Sequence, residues 1–442
     1  MVDSILIGMM GLGVVGTGVI QAVRERADAL TSHAGAPVRI TKVLVRDVRA
    51  TRPDIPQGLS LTSDAADILE NQDIQLVIEV MGGEHPAYEY VSAALRAGKH
   101  VVTANKELMA KRGPELLRLA AEHGCALRFE ASVGGGIPII GPLLEDLAAN
   151  GLSAVNAIIN GTTNYMLTRM ANDGLDYDDA LAEARERGYA EADPAADVDG
   201  TDAAFKLAIL ASLAFRTVVS DTDVFREGIR RLTPADFAYA EELGYVIKLI
   251  ATARKTDGHV QARVHPVFLP DNHPLAKVDG VYNAVELEGD LVDWAMFQGP
   301  GAGAKPTASA ILADVLAISR SIATGSPAPA PPSIGPALPV EPMAELRTGY
   351  YIRLRANDRP GVMAQITTVL GDLNVSLASV IQFASAAQQP TNAPGARGGA
   401  AEIVITTHVA KEADVQEAVL RLSALESVDE VGNLIRVEER TQ

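Results

Sequence analysis

Apolar positions follow two alternating rhythms along the first third of the chain. A short continuous run, Ile5–Met10, leads straight into a glycine-rich turn and then a helically spaced stretch through Arg24. Further short runs occupy Val38–Val45, Ile74–Met81, Lys99–Thr103 and Cys125–Val133. Between them lie amphipathic stretches at Pro86–Ala97, stopped by Gly98, and at Gly113–His123. Compact apolar runs alternating with helical spacing predict parallel strands buried on both faces, wound into an open α/β sheet.

The rhythm changes near Ile137. Leu152–Asn160 predicts a strand, and Thr162–Asn172, Tyr177–Arg187 and Thr201–Phe215 predict helices. Strand-like runs return near Tyr245–Lys255, His259–Leu269, Tyr282–Leu287 and Leu291–Phe297, before a helix over Lys305–Ala323. From Thr324 to Pro342 proline, alanine and serine dominate, a composition that reads as a flexible linker. The remainder predicts strand, helix, strand, strand, helix, strand: Tyr350–Ala356, Val362–Leu373, Ser376–Phe383, Ile403–Thr407, Ala410–Leu422 and Val428–Val437. Residues 388–399, rich in Pro, Gly, Ala and Asn, predict a mobile hairpin loop.

The expected architecture is therefore α/β. Residues 1–136 form a Rossmann-type dinucleotide-binding domain, completed by about 299–323. Residues 137–298 form an inserted α+β domain, 324–348 the linker, and 349–442 a βαββαβ, ferredoxin-like module.

The glycine-rich turn carries the first chemistry. Gly11-Leu-Gly13-Val14-Val15-Gly16 is a GxGxxG sequence in strand–turn–helix context. Gly11 allows the turn, Gly13 lets backbone approach a pyrophosphate, and Gly16 lets helix pack on strand. The helix N-terminus then offers free N–H groups to phosphate. At the end of the next strand Arg46 precedes Asp47, a mixed signal weighted to NADP(H), with NAD(H) possible.

A second cluster lies at Glu191-Ala-Asp193-Pro-Ala-Ala-Asp197-Val-Asp199-Gly-Thr-Asp202-Ala-Ala-Phe-Lys206. Asp202 and Lys206 stand at i,i+4 on one face of an otherwise apolar helix. A desolvated lysine has a lowered pKa and can move protons near neutrality; a structural ion pair is the bland alternative.

Composition narrows the class. A net charge of −18 opposes nucleic-acid binding. The single cysteine, Cys125, excludes an internal disulfide framework and fits a cytoplasmic protein. No uninterrupted apolar run reaches membrane-spanning length, so no membrane partner is expected. The eight histidines lack zinc-site spacing.

With these pieces placed, the chain resembles the homoserine dehydrogenase family in its longer bacterial form, which ends in an ACT regulatory domain. The matching motifs are Gly11–Gly16, Thr103-Ala-Asn105-Lys106, Glu130–Pro138, Asn160-Gly-Thr-Thr-Asn164, Gly188–Pro194, Asp197–Asp202 with Lys206, and Gly299–Gly303. Val14 departs from a frequent threonine. The resemblance implies reversible NAD(P)H-dependent reduction of L-aspartate 4-semialdehyde to L-homoserine. It makes Lys206 the proton donor and Lys106 a second active-site lysine near the nicotinamide. Glu191, Asp202, Tyr189 and Thr162 become substrate residues, and Gly11, Gly13, Val14, Val15, Gly16, Arg46, Thr103, Lys106, Gly188 and Gly303 cofactor residues. Crowding two ammonium groups is expected to lower the pKa of both.

The same resemblance implies a monovalent cation, sodium or potassium, at the Glu130 carboxylate and the carbonyls of Val133, Gly135 and Ile137. It implies L-threonine as inhibitor, bound near Asn357, Asp358, Gly361, Asn374 and Val375, and a homodimer or homotetramer, with the inserted domain serving dimerisation. Two rivals differ in kind: another NAD(P)-dependent oxidoreductase on an amino-acid aldehyde or keto acid, and a catalytically silent nucleotide- and amino-acid-sensing regulator. The acidic loop ending in Lys206 argues against the first, and intact Lys106, Glu191, Asp202 and Lys206 argue against the second.

Overall fold

The computed structural model describes residues 3–50, 58–384 and 399–438. Its first sheet has six parallel strands in the order Ser60–Thr62, Val38–Leu44, Ile5–Met10, Leu76–Glu79, His100–Thr103, Leu127–Arg128. Alternate side chains feed opposite faces: Val77 and Val101 join one core cluster, Leu76, Ile78 and Val102 the other. Winding reverses between Ile5–Met10 and Leu76–Glu79, which opens a crevice at their C-terminal ends, the ligand position of such sheets.

One face is covered by the fingerprint helix Val14–Glu25 and by Ala304–Thr324. Gly18 allows their contact, since a Cβ there would stand 2.8 Å from the Ala304 carbonyl. Ala304–Thr324 is long and apolar enough to cross a membrane by length and composition; half of that window is buried in this fold.

Lys106–Glu122 is longer than the expected Gly113–His123. The Asn105 side chain accepts from Leu108 N at 3.0 Å and starts the helix early, and Pro114 is carried inside it. Pro234–Glu242 was not anticipated, although Thr233 and Asp236 form a capping box with Pro234 in the first turn.

The second sheet runs Asp293–Pro300, Tyr282–Gly289, Leu152–Ile158, Tyr245–Thr256, His259–Pro270, Val428–Val437, Arg347–Asn357, Ala400–Thr407, Leu377–Ala384. The last four strands belong to the C-terminal βαββαβ module. That module is not tethered loosely, as a flexible linker implies. Its strand Val428–Val437 pairs in parallel with His259–Pro270, Val267 against Arg436 and Phe268 against Val437. Tyr351 stacks on Phe268 with ring centroids 4.4 Å apart.

The Pro/Ala segment is pinned as well. Val260 N donates to Pro339 O at 2.9 Å, Glu341 N returns to Val260 O at 2.9 Å, and Thr217 Oγ1 donates to Pro336 O at 2.8 Å. Prolines keep this stretch extended, and the backbone at Val260 gives it partners. Most of the loop expected at 388–399 lies outside the described residues.

Candidate active site

A cleft of about 720 Å³ opens at the reversal point, lined by Gly11, Gly13, Arg46, Asp47, Met81, Gly82 and Tyr90 among others. Gly11 has φ +104, and a Cβ there would meet Val80 O at 2.7 Å. A Cβ on Gly16 would meet Gly11 O at 2.6 Å, so only glycine lets the helix sit this close to the turn. Around Gly13 the space is open, leaving room for a pyrophosphate against its backbone. Val14 is exposed at the first turn of the helix and Val15 half-buried. The residues present therefore fit a dinucleotide.

Thr103 is fully buried, and its hydroxyl donates to Glu79 Oε2 at 2.6 Å. The other Glu79 oxygen accepts from Met81 N at 2.7 Å, which holds the cleft wall. Burial raises the Glu79 pKa, against hydrogen bonds from Thr103 and Met81 that lower it. Asn105 Nδ2 donates to Gly83 O at 2.7 Å, tying the start of the Lys106 helix to that same wall. Asn105 is thus a structural link between the cleft wall and the helix that carries Lys106, a role the motif alone does not reveal.

The lysines converge on one carboxylate. Asp202 is buried; its Oδ2 accepts from Lys206 Nζ at 2.8 Å, and its Oδ1 pairs with Lys106 Nζ. Lys206 Nζ also donates to Ile159 O at 2.8 Å. Burial alone would raise the Asp202 pKa, but Lys206 and Lys106 outweigh it and hold the group ionised far into acid. Burial lowers the Lys206 pKa, with the Lys106 charge adding to it, against Asp202. Lys106 differs from expectation: burial pulls it down, but Asp202, Asp197 and Glu191 together raise it. Two ammonium groups sharing a carboxylate therefore split rather than fall together.

Asn160, absent from the predicted site residues, belongs to this cluster. Its Nδ2 donates to Asp197 Oδ1 at 2.7 Å and to Asp202 Oδ2 at 2.9 Å. Asp197 has its pKa raised by burial, with Asn160 opposing. Thr162 Oγ1 donates to Tyr189 O at 2.7 Å, and the Tyr189 ring lies edge-on to Tyr165 at 4.9 Å. Glu191 is exposed in the adjoining loop, near enough for its charge to act on Lys106. Gly188 and Gly303 have φ +74 and +118, conformations that favour glycine.

The glycine-rich turn after Leu127–Arg128 departs from expectation. Glu130 Oε1 accepts from Ile139 N at 2.7 Å and Ile140 N at 2.8 Å, and Oε2 from Gly141 N at 2.7 Å. The carboxylate anchors the start of Ile140–Leu144, with three of its roughly four lone-pair positions taken. The carboxylate is therefore largely committed to backbone N–H groups, with one position left open for a cation. Among the described residues, no hydrogen bond uses the carbonyls of Val133, Gly135 or Ile137, and no cluster of three or more His, Cys, Asp or Glu could hold a metal.

The regulatory candidates do not converge within one chain. Asn357, Asp358 and Gly361 precede the helix Val362–Asp372, whereas Asn374 and Val375 follow it, about 16 Å away at 1.5 Å rise per residue. Asp358 Oδ1 accepts from Gln382 Nε2 at 3.1 Å, Asn374 has φ +57, and Val375 is buried.

A parallel sheet with a glycine-lined crevice, joined to a cluster in which buried Asp202 and Lys206 meet the half-exposed Lys106, defines an NAD(P)-dependent oxidoreductase acting on a CH–OH group. Residues 138–316 match homoserine dehydrogenase, 11–130 its NAD-binding domain, and 350–427 the ACT domain. The homoserine dehydrogenase of Synechocystis sp. is 42% identical, aligned over 98% of this chain and 99% of its own. A crystal structure of a homoserine dehydrogenase from Thiobacillus denitrificans superposes with TM-score 0.89 at 40% identity, covering 99% of this chain and 98% of the other. A hyperthermophilic archaeal homoserine dehydrogenase in complex with NADPH has TM-score 0.61 at 26% identity, covering 71% of this chain and 97% of its own. The chain belongs to the homoserine dehydrogenase family.

Proposed function

We propose that Lys206 is the proton donor and acceptor of the homoserine–aspartate semialdehyde interconversion. The observation that carries this is the Asp202 carboxylate held between Lys206 and Lys106. Bound nicotinamide supplies or accepts the hydride. An ammonium has three donors; in Lys206 two are engaged, by Ile159 O and Asp202. The third is left for the substrate oxygen, where hydride addition builds negative charge. Its lowered pKa makes that proton easier to give near neutrality. Lys106, kept cationic by three carboxylates, stabilises the same oxygen electrostatically.

Glu191, with Thr162 and Tyr189 at the rim, holds the substrate's ammonium end. Arg46 selects NADP(H) through the 2′-phosphate, with NAD(H) admitted. Thr103 contributes through the strand end it fixes, since its hydroxyl is engaged by Glu79. A monovalent cation, sodium or potassium, takes the Glu130 carboxylate and the carbonyls of Val133, Gly135 and Ile137. L-threonine inhibits at a site completed between two regulatory modules, which would join the separated groups at Asn357–Gly361 and Asn374–Val375. The boundaries 1–136 with 299–323, 137–298, 324–348 and 349–442 are part of this reading, as is a cytoplasmic setting. A homodimer forms over the edge strand Asp293–Pro300, where Trp294 is exposed, and regulatory pairing extends it to a tetramer. Initial rates with NADPH and NADH, each with and without threonine, test the cofactor and inhibitor readings. Equal efficiency with both cofactors, or rates indifferent to threonine, would contradict them.

A further inference from the structure

We propose that Asn160 is a positioning residue of the reaction, holding Asp197 and Asp202 at the separation that lets Asp202 bridge the two lysines. Its amide is fully committed. Oδ1 accepts from Thr163 N at 2.8 Å and from Thr163 Oγ1 at 2.9 Å, while Nδ2 donates to Asp197 at 2.7 Å and to Asp202 at 2.9 Å. A flipped amide would set its NH₂ against the Thr163 N–H, so the network itself fixes the orientation. The side chain is only 5% exposed, and solvent cannot replace these bonds freely.

Capping explains half of this geometry. Asn160 is the N-cap of Gly161–Asp173, and a cap needs only the accepting oxygen. Serine or aspartate would cap as well. The two N–H donors add nothing to the helix; both point at carboxylates of the active cluster. The segment also places the proton donor, since Ile159 O accepts from Lys206. One strand end, Leu152–Ile158, thus leads to a carbonyl that orients Lys206 and a side chain that orients Asp202.

Charge makes the donors matter. Asp197 is faced by the carboxylate of Asp202 and by the ammonium groups of Lys106 and Lys206. Burial raises its pKa, the Asn160 hydrogen bond opposes that, and the like charge of Asp202 adds to the rise. Without the donors the two carboxylates repel across the gap, Asp197 takes up a proton at higher pH, and Asp202 keeps its two lysines but loses the bond that fixes its angle between them.

This inference rests on the reading of Lys206 as proton donor, so Lys206→Met is measured beside it. The test compares Asn160→Ser, which keeps the cap and loses the donors, with Asn160→Asp, which keeps the cap and adds a third carboxylate. Both variants should melt within about 3 °C of the parent and bind NADPH equally well by fluorescence titration. For semialdehyde reduction, Asn160→Ser should lower kcat about tenfold or more. The acid limb of its pH–rate profile should rise by about one unit, and Asn160→Asp should show larger changes in both. A Ser variant with the parent's kcat and acid limb overturns the proposal. So does a loss of kcat that merely follows a fall in melting temperature. If Lys206→Met turns over normally, the reading of the lysine cluster fails first; if it is inactive while Asn160→Ser is normal, only the role of Asn160 fails.

Discussion

Removing one carboxylate, that of Asp236, should loosen the joint between the regulatory module and the rest of the chain. Asp236 is completely buried on the helix Pro234–Glu242. Its Oδ1 accepts from Arg353 Nε at 2.8 Å and Tyr351 Oη at 3.2 Å. Its Oδ2 accepts from Asn433 Nδ2 at 3.0 Å and from Thr233 N and Oγ1, both at 2.9 Å. Arg353, Tyr351 and Asn433 all lie in the regulatory module. Breaking a buried pair by deleting one partner costs about 3–5 kcal/mol. Arg353 keeps Glu402 at 3.1 Å, which pulls the figure toward the lower end. Unsatisfied Tyr351 and Asn433 groups, at about 1–3 kcal/mol each, raise it again without adding fully, because they share one network. Asp236→Ala should therefore destabilise the first urea transition by about 4 kcal/mol and speed proteolysis within 324–348. Arg353→Met in the same chain should recover part of that loss, since the stranded cation is then gone. A loss below about 1 kcal/mol, or single losses that simply add, would refute the view of this network as the joint.

Three further outcomes are expected. Arg46→Ala should raise KM for NADPH more than for NADH, and equal changes would show that Arg46 does not read the 2′-phosphate. Asp314, buried beside Glu130, has its pKa pushed up to about 7 by burial. The native state then binds more protons than the unfolded chain between the ordinary carboxylate range and that value. This contribution weakens stability as pH rises, by at most about 4 kcal/mol at about 1.4 kcal/mol per unit. Asp314→Asn, whose amide oxygen can still accept from Glu130 N, should flatten the fall in melting temperature between about pH 4 and 7, and an unchanged pH dependence would contradict this. Asn374→Ala should weaken threonine inhibition and leave uninhibited turnover intact, and unchanged inhibition would remove Asn374 from the effector site.

The parallel sheet and its fingerprint were legible because short apolar runs and glycines report local geometry directly. Gly11 and Gly16 announce themselves, since any side chain there strikes backbone. Lys206 was legible through i,i+4 spacing from Asp202 on an apolar helix. The second partner of Asp202 was not, because Lys106 lies 96 residues before Asp202 and meets it only through the packing of helices Lys106–Glu122 and Thr201–Phe215. Asn160 was visible as part of a motif, but nothing local says that a cap's amide hydrogens point at two distant carboxylates. Glu130 was legible only in part for a related reason: a glycine-rich turn suggests carbonyls around a cation and says nothing of the three N–H groups that reach the carboxylate. The linker misled because composition records the absence of a core, not the presence of a backbone edge at Val260 that can hold it.

The central claim is that Lys206 moves the proton in hydride transfer between NADPH and L-aspartate 4-semialdehyde. The most direct measurement is the rate of NADPH oxidation by the parent enzyme and by Lys206→Met at saturating semialdehyde, with NADPH affinity determined separately by fluorescence. The parent should be active, and the variant should keep its NADPH affinity with a kcat lowered about 10²–10⁴-fold. A variant kcat within about tenfold of the parent, at equal cofactor affinity, would contradict the claim and move the proton-transfer role to Lys106.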